Sequence, residues 1–283
     1  MGYVVFSYFI HDPAGRGIAL KISSELHIHV GAVSRGNLKE LGQFENLVIA
    51  GFDVDVLFMD FLAKYFPEAK FFIILSRHSS AAAIPSLTVH HTGNFTNEAL
   101  YGGKPHELGI ANPEAAYIML RKLHELSRDA GLTDFEISYE ATHHGPTSVE
   151  KPLTFIEIGS TEKEWIRDDA QYVVAKAALE VYHVWRRGFN VRCEPCIGVG
   201  GGHYARKHTR MCIERGFCYG HIISKHVLER LKVNELERII KTCIDRSATR
   251  PKLLVVEKKS VKSAYRSVLK SIAPAYSLEY VEI

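Results

Sequence analysis

Short apolar runs alternate with amphipathic stretches along the whole chain. Phe71-Phe72-Ile73-Ile74-Leu75 is apolar at every position, the pattern of a strand buried on both faces. Comparable runs predict strands at Tyr3–Tyr8, Leu47–Gly51, Ser86–His91, Phe135–Ala141, Leu153–Gly159, Glu194–Gly200, Gly216–Ile222, Leu253–Glu257 and Ser277–Glu282. Between them, helical spacing predicts helices at Asp12–Glu25, Val56–Phe66, Pro113–Ala130, Glu162–Arg187, Arg206–Arg215, Asn234–Ile244 and Ser260–Ser271. Asn112-Pro113 supplies a capping side chain followed by proline at the first helical position, and Gly131 closes that helix. Ser160-Thr161 ahead of Glu162 and Glu164 places acids in a first helical turn. Buried strands alternating with helices define the fold class as α/β, with a mixed, largely parallel sheet flanked by helices. We take residues 1–283 as one domain with a basic C-terminal portion, 225–270.

In such sheets ligands bind beyond the carboxyl ends of strands, and here those ends hold a consistent chemistry. Ser76-Arg77-His78-Ser79 follows Leu75, His90-His91-Thr92-Gly93-Asn94 follows Val89, and His143-His144-Gly145-Pro146-Thr147 follows the strand that ends near Glu140. Glu157, Gly159 and Ser160 follow Phe155, Gly200-Gly201-Gly202-His203-Tyr204 follows Val199, and Gly220-His221 follows Tyr219. A single histidine is more often structural than functional. Scattered surface histidines would not favour one edge of a sheet, so the set points to a pocket.

Imidazole is suited to binding a transition metal or moving a proton near neutral pH. A catalytic zinc site needs three protein ligands and an open position. Glu140, His143 or His144, His90 or His91, His78 and His203 supply that ligand class from separate strands. Neighbouring residues of an extended strand point to opposite faces, so one member of each His-His pair is expected in a given site. Direct general base catalysis by an imidazole is the metal-free alternative. The glycine run 198–202 lacks the phosphate-loop and dinucleotide patterns and implies close backbone approach to a ligand or strand. No Gly-x-Ser-x-Gly elbow is present; Thr147, Ser79 and Ser160 are hydroxyl candidates for catalysis, ligand bonding or capping.

Composition narrows the class. The chain has 283 residues, 46% hydrophobic and 24% charged, an ordinary globular balance. The apolar first ten residues lack a basic leader and run into His11-Asp12-Pro13, so a buried strand is expected there rather than a signal peptide. No apolar run is long enough for a bilayer, and a soluble, cytoplasmic protein is expected. The five cysteines are irregularly spaced and are read as buried free thiols, with a zinc knuckle from Cys193, Cys196, Cys212 and Cys218 as the weaker alternative. Residues 225–270 hold 13 Lys/Arg against 5 Asp/Glu, whereas residues 1–224 hold 22 against 25. Such asymmetry suggests a polyanionic partner. Lys259, Lys262, Arg266 and Lys270 recur at helical spacing, so one basic helix face on an RNA backbone is expected. No RNA-recognition or KH signature accompanies it.

The motifs Ser76-Arg77-His78-Ser79, Leu87-Thr88-Val89-His90 with Thr92-Gly93-Asn94, His143-His144-Gly145-Pro146-Thr147, Glu157-Ile158-Gly159-Ser160 and Gly200-Gly201-Gly202-His203-Tyr204-Ala205 occur in this order. Together they resemble the archaeal and plant type of D-aminoacyl-tRNA deacylase over nearly the full length. That resemblance implies hydrolysis of the ester joining a D-amino acid to tRNA, two zinc ions per chain, and a phosphorylase/hydrolase-like α/β fold shaped like peptidyl-tRNA hydrolase. The histidine strings correspond to His78, His90, His143, His144 and His203. On this reading His78, His90, His143 and His203 hold metal, and His143, His144, Thr147 and Glu140 perform catalysis. Gly200, Gly201, Gly202, Tyr204 and Ser79 are assigned to substrate binding, with Lys259, Lys262 and Arg266 on the tRNA. Backbone N–H groups of the glycine run are expected to stabilise an oxyanion, with Gly201 packed against the α-carbon as a chirality filter. D-aminoacyl-tRNA is the expected partner, with no membrane and no protein partner evident. A small-molecule phosphorylase or peptidase on the same fold, or a non-catalytic RNA-binding protein, are the alternatives.

Overall fold

The computed structural model describes residues 2–283. Its larger sheet contains β1 (Tyr3–Phe9), β2 (Gly31–Arg35), β3 (Leu38–Phe44), β4 (Leu47–Phe52), β5 (Ala69–Ser79), β6 (Ser86–His90), β7 (Glu136–Tyr139) and β8 (Leu153–Ser160) in the order β2-β3-β4-β1-β5-β8-β6-β7. A second, smaller sheet contains β9 (Glu194–Val199), β10 (Phe217–Ile223), β11 (Leu253–Val256) and β12 (Glu279–Glu282) in the order β10-β9-β11-β12. Every pairing in the smaller sheet is parallel, whereas the larger one turns antiparallel at β2-β3-β4 and at β6-β8. The mixed, largely parallel architecture follows the apolar patterning, but the division into two sheets does not, because patterning carries no information on partners.

β5 shows why the apolar run forms a central strand. Phe71, Ile73 and Leu75 pack under the helices Pro13–Glu25, Pro113–Asp129 and Asp168–Arg186. Phe72 and Ile74 face the opposite core with Phe52, Met59 and Leu62. The strand runs beyond Leu75 because β8 pairs with it in register through His78↔Gly159 and Ser79↔Ser160. His78 therefore lies inside a strand, not in the turn after it. The cap at Asn112 forms as expected, its side chain accepting from the Ala115 N–H at 3.2 Å.

Several expected elements differ. The helix expected at Val56–Phe66 is a 3-10 turn, Val56–Phe58, and a short helix, Leu62–Tyr65. Between them the Asp60 carboxylate accepts from Thr147 N at 2.9 Å and Ser148 N at 2.7 Å, so tertiary bonds interrupt the helix. The helix expected at Glu162–Arg187 divides at Ile166-Arg167, after a Thr161/Glu164 capping box. The polar edge hairpin β2-β3 had no sequence expectation. The C-terminal helix begins at Ser263, with Lys262 as its cap. Lys259 thus lies outside it, and no continuous helical face carries Lys259, Lys262, Arg266 and Lys270. Arg266 instead pairs with Glu282 at 3.3 Å.

Cysteine usage is also corrected. Cys193 and Cys218 form a disulfide across the adjacent starts of β9 and β10, with Cα atoms 5.7 Å apart. Cys196, Cys212 and Cys243 are buried free thiols. The pairing follows from the β9-β10 register, Phe217 opposite Glu194. It leaves neither bonded sulfur for a zinc knuckle. No helix among the described residues is long and apolar enough to cross a membrane.

Candidate metal centre and active site

The centre forms at the seam between the two sheets. After β7, Glu140 bridges antiparallel to Tyr204, which follows β9. Ala141 N donates to His203 O at 2.9 Å, and Ala205 N donates to Tyr139 O at 2.8 Å. These bonds carry His203 from the small sheet to a carboxylate at the edge of the large one. On the other side Gly93 N donates to His144 O at 2.8 Å, tying the segment after β6 to the double histidine.

Five histidines and two carboxylates converge there. Buried Glu140 has Oε1 3.2 Å from His78 Nδ1, and its Oε2 lies 2.9 Å from His203 Nε2 and 3.5 Å from His143 Nε2. Buried Glu157 has Oε2 3.6 Å from His78 Nδ1 and 3.4 Å from His90 Nε2. Its Oε1 accepts from the Ser76 hydroxyl at 2.6 Å, which fixes the direction of the other oxygen. The His90, His143 and His144 rings lie 4.2–4.8 Å apart by centroid. Tyr204 Oη is 3.1 Å from His78 Nε2, and the Trp165 indole donates to His78 O at 2.9 Å. Ser79 is exposed at the rim.

The histidine pairs behave differently from each other. His90 faces the centre with its ring stacked on Phe155, whereas His91 turns away. Its Nδ1–H donates to Gly220 O at 2.6 Å and its Nε2 accepts from Asn112 N at 3.0 Å. His143 and His144 both enter. His144 adopts φ 43°, and that left-handed residue breaks the alternation an extended strand would impose. The expectation of one inward ring therefore holds for the first pair and fails for the second.

Each inward ring of the two His-His pairs is oriented by a carbonyl. Nδ1–H donates from His90 to His91 O at 3.2 Å, from His143 to Ala141 O at 2.9 Å and from His144 to Gly145 O at 2.6 Å. A carbonyl can only accept, so this tautomer leaves each Nε2 with a lone pair, the arrangement a metal-ligating histidine requires. His90 Nε2, both Glu140 oxygens and Glu157 Oε2 are buried and make no well-directed hydrogen bond, although each lies 2.9–3.6 Å from an ionic partner of the cluster. Unpaired buried carboxylate oxygens are costly, and a cation removes that cost. Donor atoms of His90/His143/His144, of His78/Glu140/His203 and of His90/Glu140/Glu157 each lie within 4.8 Å of one another. The residues present fit a divalent metal.

Comparisons with known proteins place the chain in a family. A family model described as D-aminoacyl-tRNA deacylase matches residues 65–281. A D-aminoacyl-tRNA deacylase of Desulfurococcus amylolyticus is 43% identical over 97% of this chain and 98% of its own length. The protein of the same name from Staphylothermus marinus is 42% identical over 97% of this chain and 98% of its own. The chain belongs to the D-aminoacyl-tRNA deacylase family. A crystal structure of a conserved protein of unknown function is 28% identical, covers 99% of this chain and 95% of that one, and superposes with a TM-score of 0.87.

Electrostatics of this family member divide the cluster. Burial alone would lower His78, but the adjacent Glu157 and Glu140 carboxylates overcome it and raise the imidazole to about 9. His90 is likewise raised, against burial, by Glu157. Burial and the surrounding imidazoles push His143 well down, and burial with His90 lowers His144 to about 4. Burial opposes the charge on Glu157, yet His90 and His78 hold its carboxyl well below the usual range. Glu140 and Glu157 thus retain negative charge in a buried site and His143 and His144 stay neutral, while the proton that the carboxylates favour on His78 and His90 is the positive charge a bound cation would replace.

Other expected deacylase residues lie elsewhere. Thr147 is buried away from the centre; its hydroxyl donates to Glu107 at 2.5 Å and accepts from Lys104 N at 3.0 Å. It pins a loop. Gly200 N donates to Ile223 O at 2.8 Å and Gly201 N to the Ser260 hydroxyl at 2.8 Å, so neither is free for an oxyanion. Both glycines have left-handed φ, 96° and 86°, and turn the chain so that His203 reaches Glu140. Gly200, Gly201 and Gly202 do not line the cavities beside the histidines. Lys259 and Lys262 are exposed on the small-sheet side. Glu157 had no assigned role from sequence. The signal was present as a carboxylate inside an otherwise apolar strand, where an acid needs a partner.

Proposed function

We propose that this chain hydrolyses the ester bond of D-aminoacyl-tRNA, releasing tRNA and the D-amino acid, as a chiral proofreading enzyme of the cytoplasm. Family membership supports the substrate. The observation that carries the chemistry is the set of unpartnered Glu140, Glu157 and His90 atoms among histidines oriented by carbonyls. His90, His143 and His144 would hold one zinc ion, and His78, Glu140 and His203 a second, with Glu157 between the sets. When bound, zinc supplies Lewis acidity to an ester carbonyl and to water.

The chain's own residues prepare the site. Ser76 holds Glu157, and Tyr204 with Trp165 holds His78, so the donor set is fixed before substrate arrives. Phe155 packs on His90 and edge-on to His144, an apolar wall on one side of the donor set. The basic portion, including Lys225, Arg230, Lys259 and Lys262, provides a phosphate-contacting surface outside the centre.

Paired D- and L-aminoacyl-tRNA substrates test the reading through release of free tRNA. Hydrolysis of the D form alone is expected, and its absence refutes the function. Removal of metal by a chelator is expected to abolish turnover, with recovery on adding zinc. Full activity in metal-free protein would instead leave His143 or His144 as a general base.

A further inference from the structure

Two cavities meet at the histidine centre, and their linings differ in chemistry. One, of about 350 Å³, is walled by Phe95, Leu100, Tyr101 and Val227, with His226 and the Arg230–Glu98 ion pair at its edge. The other, of about 420 Å³, is walled by Phe9, Val56 and Leu57 and contains the carboxylates Asp12, Asp55 and Glu157 together with Arg77, His78 and His203. His143, His144 and Tyr101 line both. Leu100 and Tyr101 are 79% and 68% exposed, the most exposed large apolar side chains among the described residues. Their loop is held over the double histidine by Gly145 N donating to Tyr101 O at 2.9 Å, and is braced by Asn94 Nδ2 donating to Gly102 O at 3.0 Å. An exposed apolar patch on a braced loop marks a binding surface.

Resting on the deacylase reading above, we propose that the ester straddles His143 and His144. The 3′-terminal adenosine occupies the Tyr101–Val227 cavity, and the D-aminoacyl group occupies the acidic one with its α-ammonium on Asp55. Charge decides the direction. A tRNA continues from the adenosine as a polyanion, and His226 with Arg230, the latter ion-paired with Glu98 of the same cavity, lies at the start of the basic portion on that side. An aromatic ring with cations around it suits a base and its phosphate. The opposite cavity suits an ammonium. Both Asp12 oxygens accept backbone N–H groups, from Ala14 at 2.9 Å and Arg77 at 2.8 Å. Asp55 has one oxygen on Leu57 N at 3.1 Å, while its other oxygen has the Arg77 guanidinium only at 3.8 Å. Arg77 itself lies over the Trp165 ring, leaving Asp55 Oδ2 as the available acceptor. Glu157 Oε2, buried and unpartnered, lies deeper in the same cavity.

Calorimetry with two fragments tests this without turnover: adenosine 5′-monophosphate for one cavity and D-tyrosine amide for the other. Both are expected to bind wild-type protein at once. Val227→Trp, which fills the nucleoside cavity, is expected to weaken the nucleotide roughly tenfold, in line with the loss of base stacking. Asp55→Asn is expected to weaken the amide roughly tenfold, in line with the loss of a charge-assisted bond. Mutually exclusive fragments, swapped responses to the variants, or no binding at millimolar concentration overturn the proposal. The wild-type arm needs no variant to fold. Hydrolysis of D-tyrosyl-tRNA is assayed in parallel. Fragment binding without hydrolysis would fault the deacylase reading alone, whereas hydrolysis with exclusive fragments would fault the two-cavity division alone.

Discussion

Glu157 Oε2 lies 3.4 Å from His90 Nε2 across the antiparallel pairing of β8 with β6, and neither atom has a hydrogen-bond partner. The contact exists because β6 inserts against β8 in the opposite direction to β5. A strand carboxylate and a strand-end imidazole thereby meet in a dry interior. Glu157→Gln is expected to lower metal content, measured by plasma mass spectrometry, and to cost roughly 10- to 100-fold in turnover of D-aminoacyl-tRNA. Unchanged metal content and rate would show that Glu157 is only a packing partner.

Thr147 belongs to the histidine string in sequence but not to the centre in space. Thr147→Val removes its bonds to Glu107 and Lys104 N and is expected to cost about 1–3 kcal/mol by denaturant unfolding. Turnover by the folded variant should stay near wild type. Loss of turnover at unchanged stability would restore Thr147 to the chemistry.

Acid should destabilise the protein through histidines outside the centre. Burial lowers His91 to about 3, and His208 and His221 to about 4. An unfolded histidine titrates near ~6.5, so below that pH the unfolded chain takes up protons that the folded one refuses. The contribution is full above ~6.5 and is lost as pH falls towards the folded values, at about 1.4 kcal/mol per pH unit per histidine. Asp12, raised to about 6 by burial, runs the other way between its unfolded and folded values. Three histidines outweigh that single carboxyl. The thermal midpoint is expected to fall clearly between about pH 7 and about pH 5; a flat profile would contradict the neutral buried state.

Reduction of the Cys193–Cys218 disulfide, which spans a sequence separation of 25, should remove about 3 kcal/mol. Unfolding curves with and without reductant measure it, with Cys193→Ala as a reductant-independent control. Coincident curves would mean that the β9-β10 pairing alone fixes these strand starts.

Much of the fold was legible locally. The apolar run Phe71–Leu75 of β5 and the Asn112-Pro113 cap each carry their instruction within a few residues, through burial on both faces and through a bond to a neighbouring amide. His78, His90, His143, His144, His203 and Glu140 were legible as site residues because strand ends of an α/β protein converge. Glu157 was legible as a strand-end carboxylate, but its pairing with His90 and the displacement of Thr147 were not, since they depend on which strand lies alongside and which loop a hydroxyl meets.

The sequence by itself determined an α/β chain, the histidine strings that belong to a D-aminoacyl-tRNA deacylase, and a basic C-terminal portion. Periodicity, capping and residue chemistry are properties of neighbours along the chain. Only the tertiary structure decided that two sheets meet at Glu140 and Tyr204, that both His143 and His144 face inward, and that Cys193 bonds Cys218. Those outcomes depend on strand order and register, which long-range hydrogen bonds and buried charge select after the local elements exist.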